Sequence, residues 1–150
     1  MRFLIQRVSE ASVTIDNIIY SKIETGCLVL VGVEESDTKE DADWLCHKLI
    51  SLRIFSDADD KMNLSLKDIS GDILLVSQFT LFASTKKGNR PSFIKSAKPK
   101  SAIPLYEYCI QQLSLLLLKP IKTGVFGADM KVALVNNGPV TILVDSKNKD

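Results

Sequence analysis

Leu74-Leu75-Val76-Ser77-Gln78-Phe79-Thr80-Leu81 is an apolar run broken by three hydrogen-bonding side chains. With Ile73 before it and Phe82 after it, the stretch predicts a strand over residues 73–82. Residues 27–33, Cys27-Leu28-Val29-Leu30-Val31-Gly32-Val33, form a second, continuous apolar run directly after Gly26, the pattern of a strand buried on both faces. Two such strands need covering layers, and a chain of 150 residues supplies one core to provide them.

The layers are legible on either side. Asp37-x-x-Glu40 reads as a capping box opening a first helix, on which Ala42, Leu45, Cys46 and Leu49 recur at helical spacing. A second helix is predicted over residues 102–118, with Ser101 as N-cap, Pro104 in the first turn and Pro120 as the stop. Shorter strands are predicted over residues 3–8, 12–15 and 18–23, the last two forming a hairpin around Asp16-Asn17, and over residues 53–55 ahead of a polar turn at 56–61. Two final strands, 131–135 and 140–144, flank residues 136–139, and the polar tail 146–150 is expected to fray. Seven or eight strands and two main helices predict a single α+β domain, built on mostly antiparallel sheet or a partly closed β-barrel. The helices are too few for a doubly wound parallel sheet.

Composition narrows the function classes. Hydrophobic residues make up 45% and charged residues 25%, ordinary for a globular protein. The longest apolar runs, residues 27–33 and 113–118, are far too short to span a membrane. The N-terminal residues reach Gln6 and Arg7 without a signal-peptide core, so no membrane partner and a cytoplasmic location are expected. Cys27, Cys46 and Cys109 are an odd number with no C-x-x-C pair, which predicts buried free thiols and neither a disulfide framework nor a metal site. His47, the only histidine, falls off the apolar stripe of its helix and is expected to face solvent. Residues 83–100 hold six basic residues and no acidic one, leaving −5 on the remainder of a chain whose net charge is +1. A phosphate-contacting surface and a merely solvated loop are both open readings of that segment.

Two places call for more than packing. In a strand, Gln78 and Thr80 would share one face and Ser77 the other, unless the strand ends or bends there. Buried polar groups are costly unless paired, so the cluster either satisfies nearby backbone or lines a site. Asn136-Asn137-Gly138-Pro139 contains a good hairpin turn, but Pro139 removes a backbone donor where the next strand would begin. The residues fit a rigid, shaped loop whose X-Pro bond is the one place where a cis peptide is cheap, or an edge-strand proline after a plain turn.

Ser77-Gln78-Phe79-Thr80-Leu81 and Asn137-Gly138-Pro139-Val140-Thr141 resemble the two defining motifs of the D-aminoacyl-tRNA deacylases. The resemblance extends through Ile5-Gln6-Arg7-Val8, Ala11-Ser12-Val13, Arg53-Ile54-Phe55-Ser56-Asp57, Lys61-Met62-Asn63-Leu64, Arg90-Pro91-Ser92-Phe93 and Gly127-Ala128-Asp129-Met130. Asn137 stands where many members carry Asp. The resemblance implies a cofactor-free hydrolase that cleaves the ester of D-aminoacyl-tRNA, acting as a homodimer with its active sites at the subunit interface. Ser77, Gln78, Phe79 and Thr80 would line a pocket for the aminoacylated 3′ adenosine. Gly138-Pro139, with a cis bond, would enter the partner's pocket, take the substrate amino group on its carbonyls and exclude L side chains. Arg7 would hold that loop, if it is not a plain strand-end arginine. Phe126 and Met130 would flank the adenine, core packing being the other reading of each. The substrate's 2′-hydroxyl would help activate water, and the amides of Phe79 and Thr80 would hold the oxyanion. Lys86, Lys87 and Arg90 are then candidates for the acceptor-stem phosphates, DNA is not an expected partner, and achiral glycyl-tRNA should pass the filter. The rival readings are a non-catalytic RNA-binding module on the same fold and a hydrolase using Ser77 or Thr80 as nucleophile.

Overall fold

Asp16 and Asn17 both have positive φ, 50° and 61°, the conformation that lets a two-residue turn follow the twist of a hairpin. They join β1 (Arg2–Ile15) to β2 (Ile18–Ile23). A computed structural model, which describes residues 1–149, continues with β3 (Gly26–Gly32), α1 (Lys39–Ser51), β4 (Phe55–Ser56), β5 (Met62–Leu64), β6 (Asp72–Ser77), a 3₁₀ turn (Phe79–Phe82), α2 (Pro99–Leu117), β7 (Lys122–Thr123) and β8 (Lys131–Asp145).

The main sheet runs β2-β1-β3-β6-β7. Along one edge, β1 pairs antiparallel with β3 through Arg2–Val8 and with β2 through Ala11–Ile15; its other edge carries β8. The pairs β3–β6 and β6–β7 are parallel, so the sheet is mixed. The Ser21 hydroxyl of β2 donates to the Thr123 carbonyl of β7 at 2.7 Å, drawing the two ends of that order together. The result is the expected partly closed barrel with two main helices. Strand alternation then divides the core. Cys27, Val29, Val31, Ile73 and Leu75 pack towards the helices, while Leu28, Leu74 and Val76 join Val8, Val13 and Ile23 in a second cluster inside the barrel. The three cysteines are buried free thiols, and burial pushes Cys27 up to about 12 against the pull of Arg7. His47 is exposed. Among the described residues no helix is long and apolar enough to cross a membrane.

Several elements differ from the sequence reading. The two short strands expected over residues 3–8 and 12–15 are one, because exposed Ser9 and Glu10 lie on a strand that changes partners there. The predicted strand 73–82 ends at Ser77. Gln78 N–H still donates to the Val31 carbonyl at 2.7 Å, after which Leu81 and Ala83 N–H turn back onto Gln78 and Thr80. Gly32 makes that turn possible: a Cβ there would lie 2.9 Å from Leu81 Cβ and 3.1 Å from the Phe82 ring. The final two strands are one long strand, and residues 136–139 are not a hairpin turn between them.

Both helices also start elsewhere. The capping box of α1 is Thr38 with Asp41, the Thr38 N–H donating to Asp41 Oδ2 at 2.9 Å, while Asp37 turns to the Glu34 amide and the N-terminal ammonium. α2 begins at Pro99, and Ser101 is not its cap. Glu35 takes that place from outside the helix, accepting from Lys98 N–H at 2.7 Å and the Ser101 hydroxyl at 2.9 Å. The tail is held rather than frayed as far as Lys147. Ser146 N–H donates to the Met1 carbonyl at 2.9 Å and Lys147 Nζ to Asp41 Oδ2 at 2.8 Å; Asp150 lies outside the described residues.

Asp41 links that tail to pH. Burial pushes its carboxyl up, but hydrogen bonds from Lys147, the Thr38 amide and Ser146, with the lysine charge, outweigh burial and hold it well below the usual carboxylate range. A carboxyl whose folded pKa lies under its unfolded value of about 3.9 stabilises the fold above that pH and loses its contribution as pH falls towards the folded value. The urea midpoint is therefore expected to drop as pH is lowered from about 4 towards 2. Asp41→Asn should flatten that drop in circular-dichroism titrations.

Candidate active site

β6 delivers Ser77 to the end of the sheet, and the 3₁₀ turn then swings Phe79 over an opening beside it. The cavity there has a volume of about 320 Å³ and is walled by Val31 and Val76 from the sheet, Tyr106 from α2, and Phe126 and Met130 from the segment before β8. Ser77, Gln78 and Phe79 all line it, so the turn brings together side chains that strand alternation would have separated. Thr80 is exposed at its edge, where its hydroxyl accepts a hydrogen bond from the Gln78 amide. A 3₁₀ turn leaves its first amides without acceptors inside the turn, which here are those of Phe79 and Thr80.

Residues outside the motif support this wall. The Tyr106 hydroxyl donates to the Leu75 carbonyl at 2.8 Å, and its ring lies 5.9 Å from that of Phe126. Burial, with smaller contributions from Tyr20 and Cys109, raises the phenol above its ordinary value, so it stays a neutral donor. Ser96 Oγ donates to the Phe79 carbonyl at 2.8 Å, and Phe93 meets the Phe79 ring edge-on at 5.0 Å. Gly124 leaves room for Met130, whose sulfur would stand 2.5 Å from a Cβ at that position. Tyr106 and Ser96 were not among the sequence candidates. The tyrosine sits on the apolar stripe of α2, where a core residue is the natural reading, and Ser96 acts on a residue far away in sequence.

Arg7, Gly138 and Pro139 form a second cluster, and none of them lines the cavity of the same chain. Between the pairs Gln6–Thr141 and Val8–Asn136 only Arg7 stands on β1, whereas Asn137, Gly138, Pro139 and Val140 all stand on β8. The excess leaves the ladder as an exposed loop, with Gly138 at φ 141° and a cis Gly138-Pro139 bond. Arg7 pins it from below: Nε donates to the Asn137 carbonyl at 2.7 Å and Nη1 to the Ile54 carbonyl at 2.6 Å. Asn136, the first residue of the stretch singled out in the sequence, braces the base of the loop, accepting from Val140 N–H at 2.8 Å and donating to Thr141 Oγ1 at 3.0 Å.

A family model described as D-Tyr-tRNA(Tyr) deacylase matches residues 4–145, across both clusters. The chain belongs to the D-Tyr-tRNA(Tyr) deacylase family. It is 61% identical over 150 residues, the full length of both chains, to a D-aminoacyl-tRNA deacylase of Flavobacterium psychrophilum, and 60% identical over the same length to one of Bacteroides fragilis. Among solved structures, one titled c-Myc DNA Unwinding Element Binding Protein superposes with a TM-score of 0.92 at 37% identity, covering 97% of this chain and 98% of that one. A probable eukaryotic D-amino acid tRNA deacylase, at 17% identity, shares the fold with a TM-score of 0.83 over 96% of this chain and 98% of that one.

The candidate groups of this deacylase-family chain thus fall into three places. Ser77, Gln78, Phe79, Phe126 and Met130 meet at the cavity, with Thr80 on its edge. Arg7, Gly138 and Pro139 meet at the loop. Lys86, Lys87 and Arg90 are exposed on a third segment, closed by paired hydrogen bonds between Ser84 and Ser92 of 2.8 and 2.9 Å. None of these three cations forms an ion pair among the described residues, so their charge is open to solvent. Asp129, exposed and paired with Lys131 Nζ at 3.2 Å, is the one carboxylate among the described residues lining the cavity, and no histidine or lysine lines it.

Proposed function

We propose that the protein hydrolyses D-aminoacyl-tRNA to free D-amino acid and tRNA, with the terminal adenosine in the cavity and the ester against the 3₁₀ turn. The observation that carries this reading is the cavity wall of Ser77, Gln78 and Phe79, next to the amides of Phe79 and Thr80 that open the 3₁₀ turn. Family membership supplies the reaction class. Water adds to the ester carbonyl, the two amides hold the oxyanion, and collapse expels the ribose 3′-oxygen, which takes up a proton. The neighbouring 2′-hydroxyl assists the water, and the protein contributes position more than side-chain acid–base chemistry.

Chirality is assigned to the Gly138-Pro139 loop acting across a homodimer. The loop is exposed and lies apart from the cavity of its own chain, and an isologous dimer lets each loop enter the partner's cavity. Half-exposed Val135 on β8, just before the loop, supplies apolar area for such an interface. The loop carbonyls take the substrate ammonium and leave no room for an L side chain. Glycyl-tRNA, with no side chain to exclude, passes. Lys86, Lys87 and Arg90 contact acceptor-stem phosphates.

Release of radiolabelled tyrosine from D-tyrosyl-tRNA but not from L-tyrosyl-tRNA is the expected result, and release from neither would overturn the reading. Thr80→Ala is expected to keep kcat within about tenfold of the parent, because its hydroxyl is not the nucleophile. A loss as deep as that from filling the cavity would restore Thr80 as a catalytic group. Joint replacement of Lys86, Lys87 and Arg90 by Gln should raise KM and reduce the salt dependence of binding by about 2 to 3 in log–log slope; an unchanged slope rejects those phosphate contacts.

A further inference from the structure

On the other side of the 3₁₀ turn lies a second concavity, about 460 Å³ in volume, between α1 and the end of β8. Trp44, the only tryptophan of the chain, stands in its wall with Leu52 and Ile142. Two ammonium groups hang over that ring: Lys149 Nζ at 4.7 Å and Lys48 Nζ at 5.4 Å from the centroid. Both lysines are exposed, and neither has a carboxylate partner among the described residues. Arg2 adds a third cation. Asp145, the one carboxylate in the wall, is already engaged by Arg2 Nε at 2.7 Å and by the Lys147 amide at 2.9 Å. Nearby Asp41 is taken by Lys147 and Asp43 by the Tyr108 hydroxyl. An aromatic ring beside lysines that have no carboxylate partner among the described residues is a combination that can hold a single nucleic-acid strand, through stacking and phosphate contacts together.

The groove is joined to the active-site turn. Arg2 Nη1 donates to the Leu81 carbonyl at 2.8 Å, and its guanidinium lies 4.5 Å from the Phe82 ring centroid. Phe79 at the start of this four-residue turn lines the cavity, and Leu81 and Phe82 at its end hold an arginine of the groove. At a rise of about 2 Å per residue the turn spans about 8 Å.

We infer that the Trp44–Lys48–Lys149 groove is a second RNA subsite, which holds nucleotides adjoining the terminal adenosine by stacking on Trp44 and pairing phosphate with the two lysines. The inference rests on the deacylase reading for the identity of the strand. Its readout does not, because Trp44 is the sole indole and reports its own occupancy. Titration of the full chain with an uncharged acceptor-stem RNA ending in single-stranded CCA is expected to quench tryptophan fluorescence, less so at higher salt. In the double variant Lys48→Gln/Lys149→Gln the affinity should fall about tenfold, and the log–log salt slope should shrink by about 1.5 to 2. For D-tyrosyl-tRNA the same variant should raise KM about tenfold with kcat unchanged. D-tyrosyl-adenosine, which lacks the strand, should be hydrolysed as by the parent protein. Absence of quenching, an unchanged salt slope, or an equal loss on both substrates overturns the groove. If the parent protein releases no tyrosine but the quench is seen and weakens in the variant, the groove stands and the deacylase reading falls.

Discussion

Gly138→Ala is expected to lower kcat/KM for D-tyrosyl-tRNA about 100-fold while costing only about 1–2 kcal/mol of stability. Gly138 has φ 141°, where L residues are strained. A methyl group there would also lie 2.8 Å from Arg7 Nη2, 2.9 Å from Val140 Cγ2 and 3.1 Å from the Val140 nitrogen. The arginine and the backbone on either side are the loop's anchors, so the loop must shift as a whole. Its exposure means that little of the core shifts with it, which is why the stability cost is small. If the loop carbonyls receive the substrate ammonium in the partner's cavity, a displacement near 1 Å is enough to account for a factor of about 100. Initial rates on D- and L-tyrosyl-tRNA, beside thermal melts, check both parts. A variant with the parental D-rate and the parental D-to-L ratio would remove the loop from the site.

The largest effect on the fold itself is expected at Gly26. Its place opposite Asp72 begins the parallel pairing of β3 with β6, where the Asp72 amide also donates to the Thr25 carbonyl at 3.1 Å. A Cβ at position 26 would lie 2.0 Å from the Asp72 carbonyl oxygen and 2.7 Å from its nitrogen. Those are backbone atoms inside a sheet, and they cannot rotate away as a flexible side chain can. Gly26→Ala should therefore cost about 4 kcal/mol or more, a large part of the 5–15 kcal/mol that stabilises a domain. For a chain of this size that is a melting temperature lower by about 8–16 °C. Because β6 carries Ser77 into the cavity, the rate on D-tyrosyl-tRNA should fall with it. A variant that melts within 2 °C or so of the parent would show that the two strands can part locally without loss of the fold.

The parts of this protein that its sequence determined by itself are those set by short-range pattern. The unbroken apolar run of β3 and the alternating burial of Cys27, Val29 and Val31 against Leu28 follow from a period of two and two covered faces. The stripe Ala42, Leu45, Cys46, Leu49 specifies α1, and the Ser77–Leu81 and Asn137–Thr141 motifs, with the further matching segments along the chain, point to the family that the match over residues 4–145 shows. Tertiary structure decided the rest, since a residue's partners across the fold leave no mark on its neighbours in sequence. The apolar stretch Leu74–Leu81 reads as strand throughout. Its end, Phe79–Phe82, becomes a 3₁₀ turn because Gly32, on another strand, gives Leu81 and Phe82 room. Residues 136–139 read as a hairpin, yet β8 runs on past them because β1 is long enough to pair with both halves. Ser101 has the chemistry of a cap, but Glu35 meets the helix end from 66 residues away. The placing of Gly138-Pro139 outside its own chain's cavity is likewise a product of the fold, in which β1 holds the loop through Arg7 while β6 carries the cavity wall two strands away.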